Sequence, residues 1–286
     1  MKFVTFEHNG RRRVGALGPD GAAVLPIDAA YMIDLIARFE SLAPDISACG
    51  DAIPLSSVQL LAPIPEPRRN IFCVGKNYRE HAKEFALSGF EAGAGQGDGV
   101  DAYPAVFTKP GSSVIGTGAV VPLHPKTTSA VDYEGELAVV IGRGGADIPR
   151  DQAMEHVWGF TIINDVTARD RQKNHRQWFL GKALDRFCPM GPWITTKDEV
   201  APKALHLRTW VNGELRQDAN TGDLIFDIPS LVEILSSGLA LHPGDVIATG
   251  TPKGVGIGFD PPRFLKGGDI VEVEITGLGR LTNSFG

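Results

Sequence analysis

The sequence contains few cysteines, and their positions exclude the common cysteine-based metal sites. Cys49, Cys73 and Cys188 are odd in number and lie far apart in the chain, so no two of them have the spacing of metal ligands. Thiols in this pattern are typical of a reduced cytoplasmic protein, and we expect them to be buried.

Long apolar runs are also absent. The residues that follow Met1 lack the apolar segment of a signal peptide, and no apolar run approaches the length of a transmembrane helix. We therefore expect a cytoplasmic protein that has no membrane partner.

An excess of positive charge is the third feature that the chain lacks. Its 28 Lys and Arg residues are outnumbered by 34 Asp and Glu residues, and there is no long basic run. Nucleic acid is therefore not an expected partner. Glycine and proline, by contrast, are abundant at 34 and 20 residues, which favours many turns and short strands over a helical bundle.

Residues 1–65 have the pattern of a small N-terminal domain. An alternating strand pattern on each side of Asn9-Gly10 predicts a β-hairpin, because this dipeptide suits a type I′ turn. The three prolines within residues 63–67 then predict a stiff, extended linker. We place the domain boundary there, with a larger domain over residues 70–286.

Three carboxylates on two predicted strands form a candidate metal site. The apolar run Glu136–Ile141 predicts a buried strand, and because side chains alternate along a strand, Glu134 and Glu136 point to the same face. Asp165 ends a second apolar strand and could supply a third ligand. Oxygen ligands without a nearby His or Cys favour Mg²⁺ or Mn²⁺, and less strongly Ca²⁺, over zinc. The alternative from the pattern alone is that the glutamates form surface ion pairs.

A histidine and a glutamate on a short predicted helix form a candidate proton-transfer pair. Asn77 and Glu80 fit a capping box, which predicts that the helix begins at Asn77. Tyr78, His81 and Glu84 follow at intervals of three, so they share a face and Glu84 can orient the His81 ring. Such a pair is the usual form of a general base. Taken alone, the pattern fits a surface helix with incidental charges better.

Two glycine-rich segments do not fit nucleotide-binding loops. Residues 88–104 lack the Gly-Lys-Ser/Thr ending of a phosphate-binding loop, and we expect them to order together with the His81 helix as a lid. Residues 250–256 lack the helix that would have to follow. They predict a tight loop that brings Thr251 close to a ligand.

Further polar residues follow the second predicted metal-site strand. Arg169 and Gln172 are three apart and would both face the ion if a helical turn forms there. Lys182 follows an aromatic pair, and a lysine in an apolar setting stabilises an anionic ligand well. The alternative for Lys182 is an ordinary solvated lysine.

Four of these segments together resemble the fumarylacetoacetate hydrolase family. In the family's order they are Cys73–Tyr78 with His81 and Glu84, Asp132–Leu137, Asn164–Gln172, and Thr249–Gly254. The resemblance implies a mixed, mostly β (α+β) fold, with a β-sandwich roll and a small N-terminal domain, and usually a homodimer. It also implies an Mg²⁺ or Mn²⁺ ion bound by Glu134, Glu136 and Asp165. Gly135 departs from the pattern, since bulkier residues are frequent there in the family.

The resemblance implies a metal-dependent hydrolase that breaks a C–C bond in a 2,4-dioxo acid. An acylpyruvate-like substrate would give pyruvate, or a related 2-oxo acid, plus a carboxylic acid. In this role His81 and Glu84 would activate a water molecule. The remaining implied roles are oxyanion stabilisation by Arg169, Gln172 and Lys182, and substrate positioning by Tyr78 and Thr251.

Other members of the family decarboxylate short 2-oxo acids such as oxaloacetate, or act as isomerases or hydratases of unsaturated dioic acids in aromatic catabolism. All of them use metal-stabilised enolate chemistry, so the metal ligands do not distinguish these reactions. A non-enzymatic metal-binding scaffold is disfavoured, because it would not need the proton-transfer pair and the cationic residues as well.

Overall fold

The computed structural model describes residues 1–39, 51–90 and 100–286 of the chain. The strands are β1 (Lys2–His8), β2 (Arg11–Leu17), β3 (Ala23–Ile27), β4 (Ile53–Pro54), β5 (Gln59–Leu60), β6 (Ile71–Gly75), β7 (Ala105–Lys109), β8 (Val114–Ile115), β9 (Val120–Val121), β10 (Val131–Asp132), β11 (Gly135–Ile141), β12 (Val157–Asn164), β13 (Thr167–Ala168), β14 (Cys188–Thr196), β15 (His206–Val211), β16 (Glu214–Asn220), β17 (Val246–Ala248), β18 (Ile270–Ile275) and β19 (Gly279–Phe285). The helices are α1 (Met32–Ala37), α2 (Arg79–Leu87), α3 (Ala153–His156), α4 (Arg169–Asn174), α5 (Phe179–Lys182) and α6 (Ile228–Ser236). The predicted mixed, mostly β fold is confirmed.

Two sheets pack face to face. The larger one has the order β4-β3-β2-β1-β14-β12-β11-β17-β6-β7, and the smaller one has the order β16-β15-β18-β19-β9. The main hydrophobic core lies between them and joins Leu137 of β11 and Ile162 of β12 with Leu207 of β15 and Val273 of β18. This sandwich buries both strands that carry the candidate metal ligands.

The central pair β11–β12 fixes the positions of the acidic residues. Every residue of both strands is buried, as expected for continuous runs of branched apolar side chains. The strands are antiparallel, and their pairing ends with Gly135 opposite Asn164. Glu134 and Asp165 therefore lie side by side just beyond the last pair, and the Asp165 N–H donates a 2.8 Å hydrogen bond to the Glu134 carbonyl.

The N-terminal hairpin is present and extends the larger sheet. Asn9 and Gly10 both have positive φ angles, of 51° and 71°, as a type I′ turn requires, so the predicted hairpin is confirmed. β1 also pairs with β14 through Lys2 and Phe3. The N-terminal strands and the strands of residues 70–286 thus belong to one sheet, and the division of the chain near residue 65 stays a prediction.

Two of the three cysteines lie in the described residues. Cys73 of β6 and Cys188 of β14 are both buried free thiols. Burial raises the pKa of each thiol, which makes both poor nucleophiles. Cys49 lies outside the described part of the chain. Within that part, no helix is long and apolar enough to cross a membrane.

Candidate metal centre and active site

The three predicted carboxylates converge at the end of the β11–β12 pair. Glu134 precedes β11, Glu136 is its second residue, and Asp165 follows β12. One carboxylate oxygen from each lies within 4.8 Å of the other two, and all three side chains are buried. Burial rules out the alternative of exposed surface ion pairs. A buried cluster that offers only oxygen atoms can hold a hard divalent cation.

Cations compensate two of these carboxylates. The Lys182 ammonium lies 2.8 Å from a Glu134 oxygen and 2.7 Å from an Asp165 oxygen, and Arg169 lies 2.7 Å from the other Glu134 oxygen. Burial by itself raises the pKa of Glu134, but Lys182 and Arg169 outweigh it and lower that pKa to about 2. Glu134 is therefore ionised throughout the physiological range.

Glu136 is held differently. It accepts a 2.8 Å hydrogen bond from the Gly250 N–H, and it forms no ion pair with any other described residue. Burial raises the pKa of Glu136 well above its usual value, and the nearby charges of Asp165 and Glu134 raise it further. A carboxylate in this position needs another positive charge to be ionised at neutral pH. The donor set around Glu136 therefore fits a bound divalent cation.

Sequence reasoning missed Lys109, the last residue of β7. Its ammonium is fully buried, lies 2.6 Å from Asp165, and also donates to the carbonyl oxygens of Val166 and Lys182. Asp165 thus contacts two lysines, one on each carboxylate oxygen. The only signal in the sequence is a lysine at the end of a strand. That signal does not distinguish a buried cation from a solvated one.

The His81–Glu84 pair lies beside the carboxylates. Nδ1 of His81 is 3.0 Å from Glu84 Oε2, and the histidine is only 4% exposed, so the helix face that carries His81 is buried. The other oxygen of Glu84 accepts a 2.9 Å hydrogen bond from the Gly254 N–H. When a proton on Nδ1 points to Glu84, Nε2 has a lone pair that can accept a proton.

The start of the His81 helix differs from the prediction. α2 begins at Arg79, and Tyr78 rather than Asn77 occupies the N-cap position, so the predicted capping box is wrong. The Asn77 side chain instead donates to the Thr249 and Phe226 carbonyls and accepts from the Phe226 N–H. A buried amide with three distant backbone partners is fully engaged. It ties the start of the helix to the segment after β17.

Arg169 and Gln172 share one face of α4, as predicted. The Arg169 guanidinium donates to Gln172 at 3.1 Å and to Asp132 at 2.8 Å, in addition to its contact with Glu134. Burial alone lowers the pKa of Arg169, but Glu134 and Asp132 outweigh it and raise that pKa. Its Nη2 is buried and has no hydrogen-bond partner among the described residues. This donor is available to a ligand.

Thr251 and Tyr78 are less directly placed for substrate binding. The Thr251 hydroxyl donates to the Gly135 carbonyl and accepts from Gln217, so it holds the loop against the metal-site strand. Tyr78 is buried, and its hydroxyl has no hydrogen-bond partner among the described residues. Tyr78 lines a separate cavity together with Asp223 and Lys253.

A small cavity joins most of these groups. Its polar lining consists of Lys76, His81, Glu134, Glu136, Arg169, Gln172, Lys182 and Thr251, and Phe85, Phe107 and Trp178 contribute apolar surface. Most of the candidate residues are therefore brought together around one space. Residues 91–99 of the predicted lid lie outside the described part of the chain.

Gly135 is required by the packing of the two sheets. A Cβ atom at this position would lie 2.4 Å from the Thr209 hydroxyl oxygen and 2.9 Å from a Val273 methyl group. The smaller sheet thus packs directly on the backbone between the two glutamates. A side chain here would displace the strand that carries both ligands.

Comparison with known proteins identifies the family. The fumarylacetoacetate (FAA) hydrolase C-terminal family matches residues 70–285, which is most of the chain. This protein belongs to the fumarylacetoacetate hydrolase family. The resemblance stated from its motifs is confirmed. Residues 1–63 match a second family, described as Rv2993c-like, N-terminal.

Relatives within the family carry different activities in their names. Oxaloacetate tautomerase YisK of Bacillus subtilis is 52% identical over 233 residues, which are 81% of this chain and 74% of the relative. A fumarylacetoacetate hydrolase structure from Exiguobacterium antarcticum has 42% identity and a TM-score of 0.87, with 100% of this chain and 99% of that chain covered.

A third relative was solved with ligands. Maleylpyruvate hydrolase from Sphingobium sp. SYK-6, in complex with manganese(II) and pyruvate, has 32% identity and a TM-score of 0.79. The alignment covers 100% of this chain and 98% of that chain. The family is thus shared by hydrolases and a tautomerase, and family membership does not by itself assign the reaction.

Proposed function

We propose that this protein is a metal-dependent enzyme that interconverts the keto and enol forms of a short 2-oxo acid of the oxaloacetate class. The observation that carries the proposal is the His81–Glu84 pair in the same cavity as the buried cluster of Glu134, Glu136 and Asp165. The 52% identity to an oxaloacetate tautomerase supports this choice of reaction.

The three clustered carboxylates would hold Mg²⁺ or Mn²⁺, the ions that all-oxygen donor sets of this kind prefer. When bound, the ion would supply Lewis acidity to the 2-oxo oxygen of the substrate. The manganese and pyruvate bound to the Sphingobium relative support the combination of such an ion with a 2-oxo acid.

The charge of the cluster suits an anionic substrate only with the metal present. Four buried carboxylates, those of Asp132, Glu134, Glu136 and Asp165, face three buried cations, Lys109, Arg169 and Lys182. When all four carboxylates are ionised, one negative charge is left over, and it would repel a carboxylate ligand. A divalent cation reverses the sign of the site, so ion binding and substrate binding are linked.

In the proposed reaction His81 moves a proton at C3 of the substrate. Nε2 takes the proton as the C3–H bond breaks, and Glu84 stabilises the imidazolium that forms. The His81 imidazolium then releases this proton to the C2 oxygen, where the O–H bond of the enol forms, so the two forms differ only in the position of one proton. The free Nη2 of Arg169 binds the substrate carboxylate, and the buried Lys182 ammonium stabilises the negative charge that develops on oxygen.

Hydrolysis of a C–C bond in an acylpyruvate is the second candidate. The same His81–Glu84 pair would take a proton from water, which adds to the carbonyl remote from the carboxylate. The C–C bond then breaks to give pyruvate and a carboxylic acid. The 32% identity to maleylpyruvate hydrolase, which covers the whole chain, favours this reaction.

One panel of assays separates these reactions. Oxaloacetate, acetylpyruvate and fumarylpyruvate are each given to the purified protein with Mg²⁺, Mn²⁺ or EDTA. The ultraviolet absorbance of the enol is followed, and products are identified. A metal-dependent acceleration of oxaloacetate tautomerisation, without loss of CO₂, supports the first proposal. Acetate or fumarate released together with pyruvate would instead support hydrolysis, and CO₂ from oxaloacetate would indicate a decarboxylase.

A further inference from the structure

Lys76 is held in the cavity by a constrained backbone. Its φ angle is 54°, in the left-handed region that side-chain-bearing residues rarely adopt. The residue before it, Gly75, has no space for a Cβ atom, which would lie 2.1 Å from the Trp178 ring. The residue after it, Asn77, is fixed by three hydrogen bonds between its side chain and the backbone of Phe226 and Thr249. Because both neighbours are fixed, the position of Lys76 is preorganised.

The side chain of Lys76 differs from the other cations that line the cavity. Arg169 and Lys182 are paired with buried members of the carboxylate cluster. Lys76 lines the same cavity and is 12% exposed, but it pairs at 2.7 Å with Asp101, whose side chain is 50% exposed and lies outside the cluster. An ion pair with a half-exposed carboxylate contributes little to stability, so a ligand carboxylate can compete with Asp101 for the Lys76 ammonium at low cost.

We propose that Lys76 determines specificity by binding the second carboxylate of a 2-oxo dicarboxylic acid in exchange for Asp101. This inference rests on the proposed function, in which Arg169 and the metal ion held by the carboxylate cluster bind the 2-oxo acid end of the substrate. A monocarboxylic 2-oxo acid leaves the Lys76–Asp101 pair in place. A dicarboxylic acid supplies a carboxylate inside the cavity, where a charge-assisted hydrogen bond is stronger than at the surface.

The test compares two ligands that differ only in the second carboxylate. Oxaloacetate carries it, and 2-oxobutanoate has a methyl group in its place. Both are measured on the full-length protein with saturating Mg²⁺, as the KM for oxaloacetate tautomerisation and as the inhibition constant of 2-oxobutanoate. Lys76→Met raises the KM for oxaloacetate about tenfold or more, because one charge-assisted hydrogen bond is lost. The inhibition constant of 2-oxobutanoate is unchanged.

Three variants serve as controls. Lys253→Met removes a lysine that is 60% exposed and paired with Glu80, and it leaves both constants unchanged, so general attraction of anions is not the cause. Lys76→Arg keeps the charge and restores part of the affinity. Asp101→Asn removes the competing carboxylate and lowers the KM for oxaloacetate.

The outcomes separate this inference from the proposed function. The role of Lys76 is overturned if Lys76→Met raises the KM for oxaloacetate and the inhibition constant of 2-oxobutanoate by the same factor. It is also overturned if Asp101→Asn raises the KM for oxaloacetate. Either result indicates that the Lys76–Asp101 pair is only structural. Pyruvate tests the proposed function independently, because it carries the 2-oxo acid group alone. Failure of metal-loaded wild-type protein to be inhibited by pyruvate contradicts the proposed function, whatever Lys76 does.

Discussion

The Gly254 N–H donates a 2.9 Å hydrogen bond to the oxygen of Glu84 that does not face His81. The carbonyl of the same glycine accepts a 2.6 Å hydrogen bond from the Tyr133 hydroxyl. The orientation of the His81–Glu84 pair therefore depends on a loop that is anchored beside Glu134, one of the candidate metal ligands. Two residues further on, the Gly256 N–H donates to Asp132, which holds Arg169. One loop thus positions both the His81–Glu84 pair and Arg169.

The hydroxyl of Tyr133 is expected to act through this loop. In Tyr133→Phe the hydrogen bond to the Gly254 carbonyl is lost, so the Gly254 N–H holds Glu84 less firmly and kcat falls, while metal affinity stays unchanged. The matched control is Thr161→Val, which removes a 2.7 Å hydrogen bond to the Trp193 carbonyl away from the cavity. Both variants lower the free energy of unfolding by about 1 kcal/mol. An unchanged kcat in Tyr133→Phe would contradict the positioning role.

Removal of the base is expected to separate catalysis from metal binding. His81→Ala lowers kcat by about 10²- to 10⁴-fold, the usual contribution of a general base. The affinity for Mn²⁺ measured by calorimetry remains, because His81 is not a ligand of the cluster. His156→Ala removes another buried histidine, which contacts the Arg143 carbonyl, and leaves kcat unchanged. Collapse of Mn²⁺ binding in His81→Ala would show that these roles are wrongly assigned.

Loss of one carboxylate from the cluster is expected to have the opposite effect. Glu136→Gln keeps the shape and the hydrogen bond from Gly250 but removes one of three charged ligands, so Mn²⁺ affinity falls about tenfold or more and activity falls with it. The metal-free variant is more stable than the wild type, since a neutral amide is less costly to bury than this carboxylate. Thermal unfolding in EDTA measures that difference. Wild-type affinity in Glu136→Gln would exclude it as a ligand.

Lys109 is expected to be needed for the stability of the site. Lys109→Met leaves Asp165 with one cation fewer in a fully buried position, which destabilises the protein by about 3–5 kcal/mol. Urea unfolding without metal measures this loss, and saturating Mg²⁺ restores part of it. The control Lys83→Met removes an exposed lysine paired with Glu80 and changes stability by less than about 0.5 kcal/mol. A similarly small effect for Lys109→Met would contradict its role.

The parts of the site that could be predicted from the sequence depend on local geometry. Alternation along a strand brings Glu134 and Glu136 to one face, and helical spacing brings His81 to Glu84, so both contacts follow from residues two or three apart. The family motifs then indicated that these two groups belong to one site.

The parts that could not be predicted depend on contacts between distant segments. Lys109 reaches Asp165 across 55 intervening residues because β7 and β6 lie at the end of the same sheet. Asn77 was expected to cap its own helix, but it bonds to backbone near residues 226 and 249. Thr251 lines the cavity, and its hydroxyl is also engaged by Gly135 and Gln217, which lie far from it in the chain. No local pattern encodes such partners.

The pairing of β1 with β14 has a consequence for the behaviour of the whole chain. β14 lies next to β12, and without Phe3 opposite Ile194 and Lys2 opposite Thr195 the backbone N–H and C=O groups of this part of β14 would form an open edge. Unprotected edges of this kind recruit strands from other molecules and lead to aggregation. The N-terminal hairpin contributes no group to the cavity. Its pairing with β14 instead covers this edge and thus protects the larger sheet from intermolecular strand pairing.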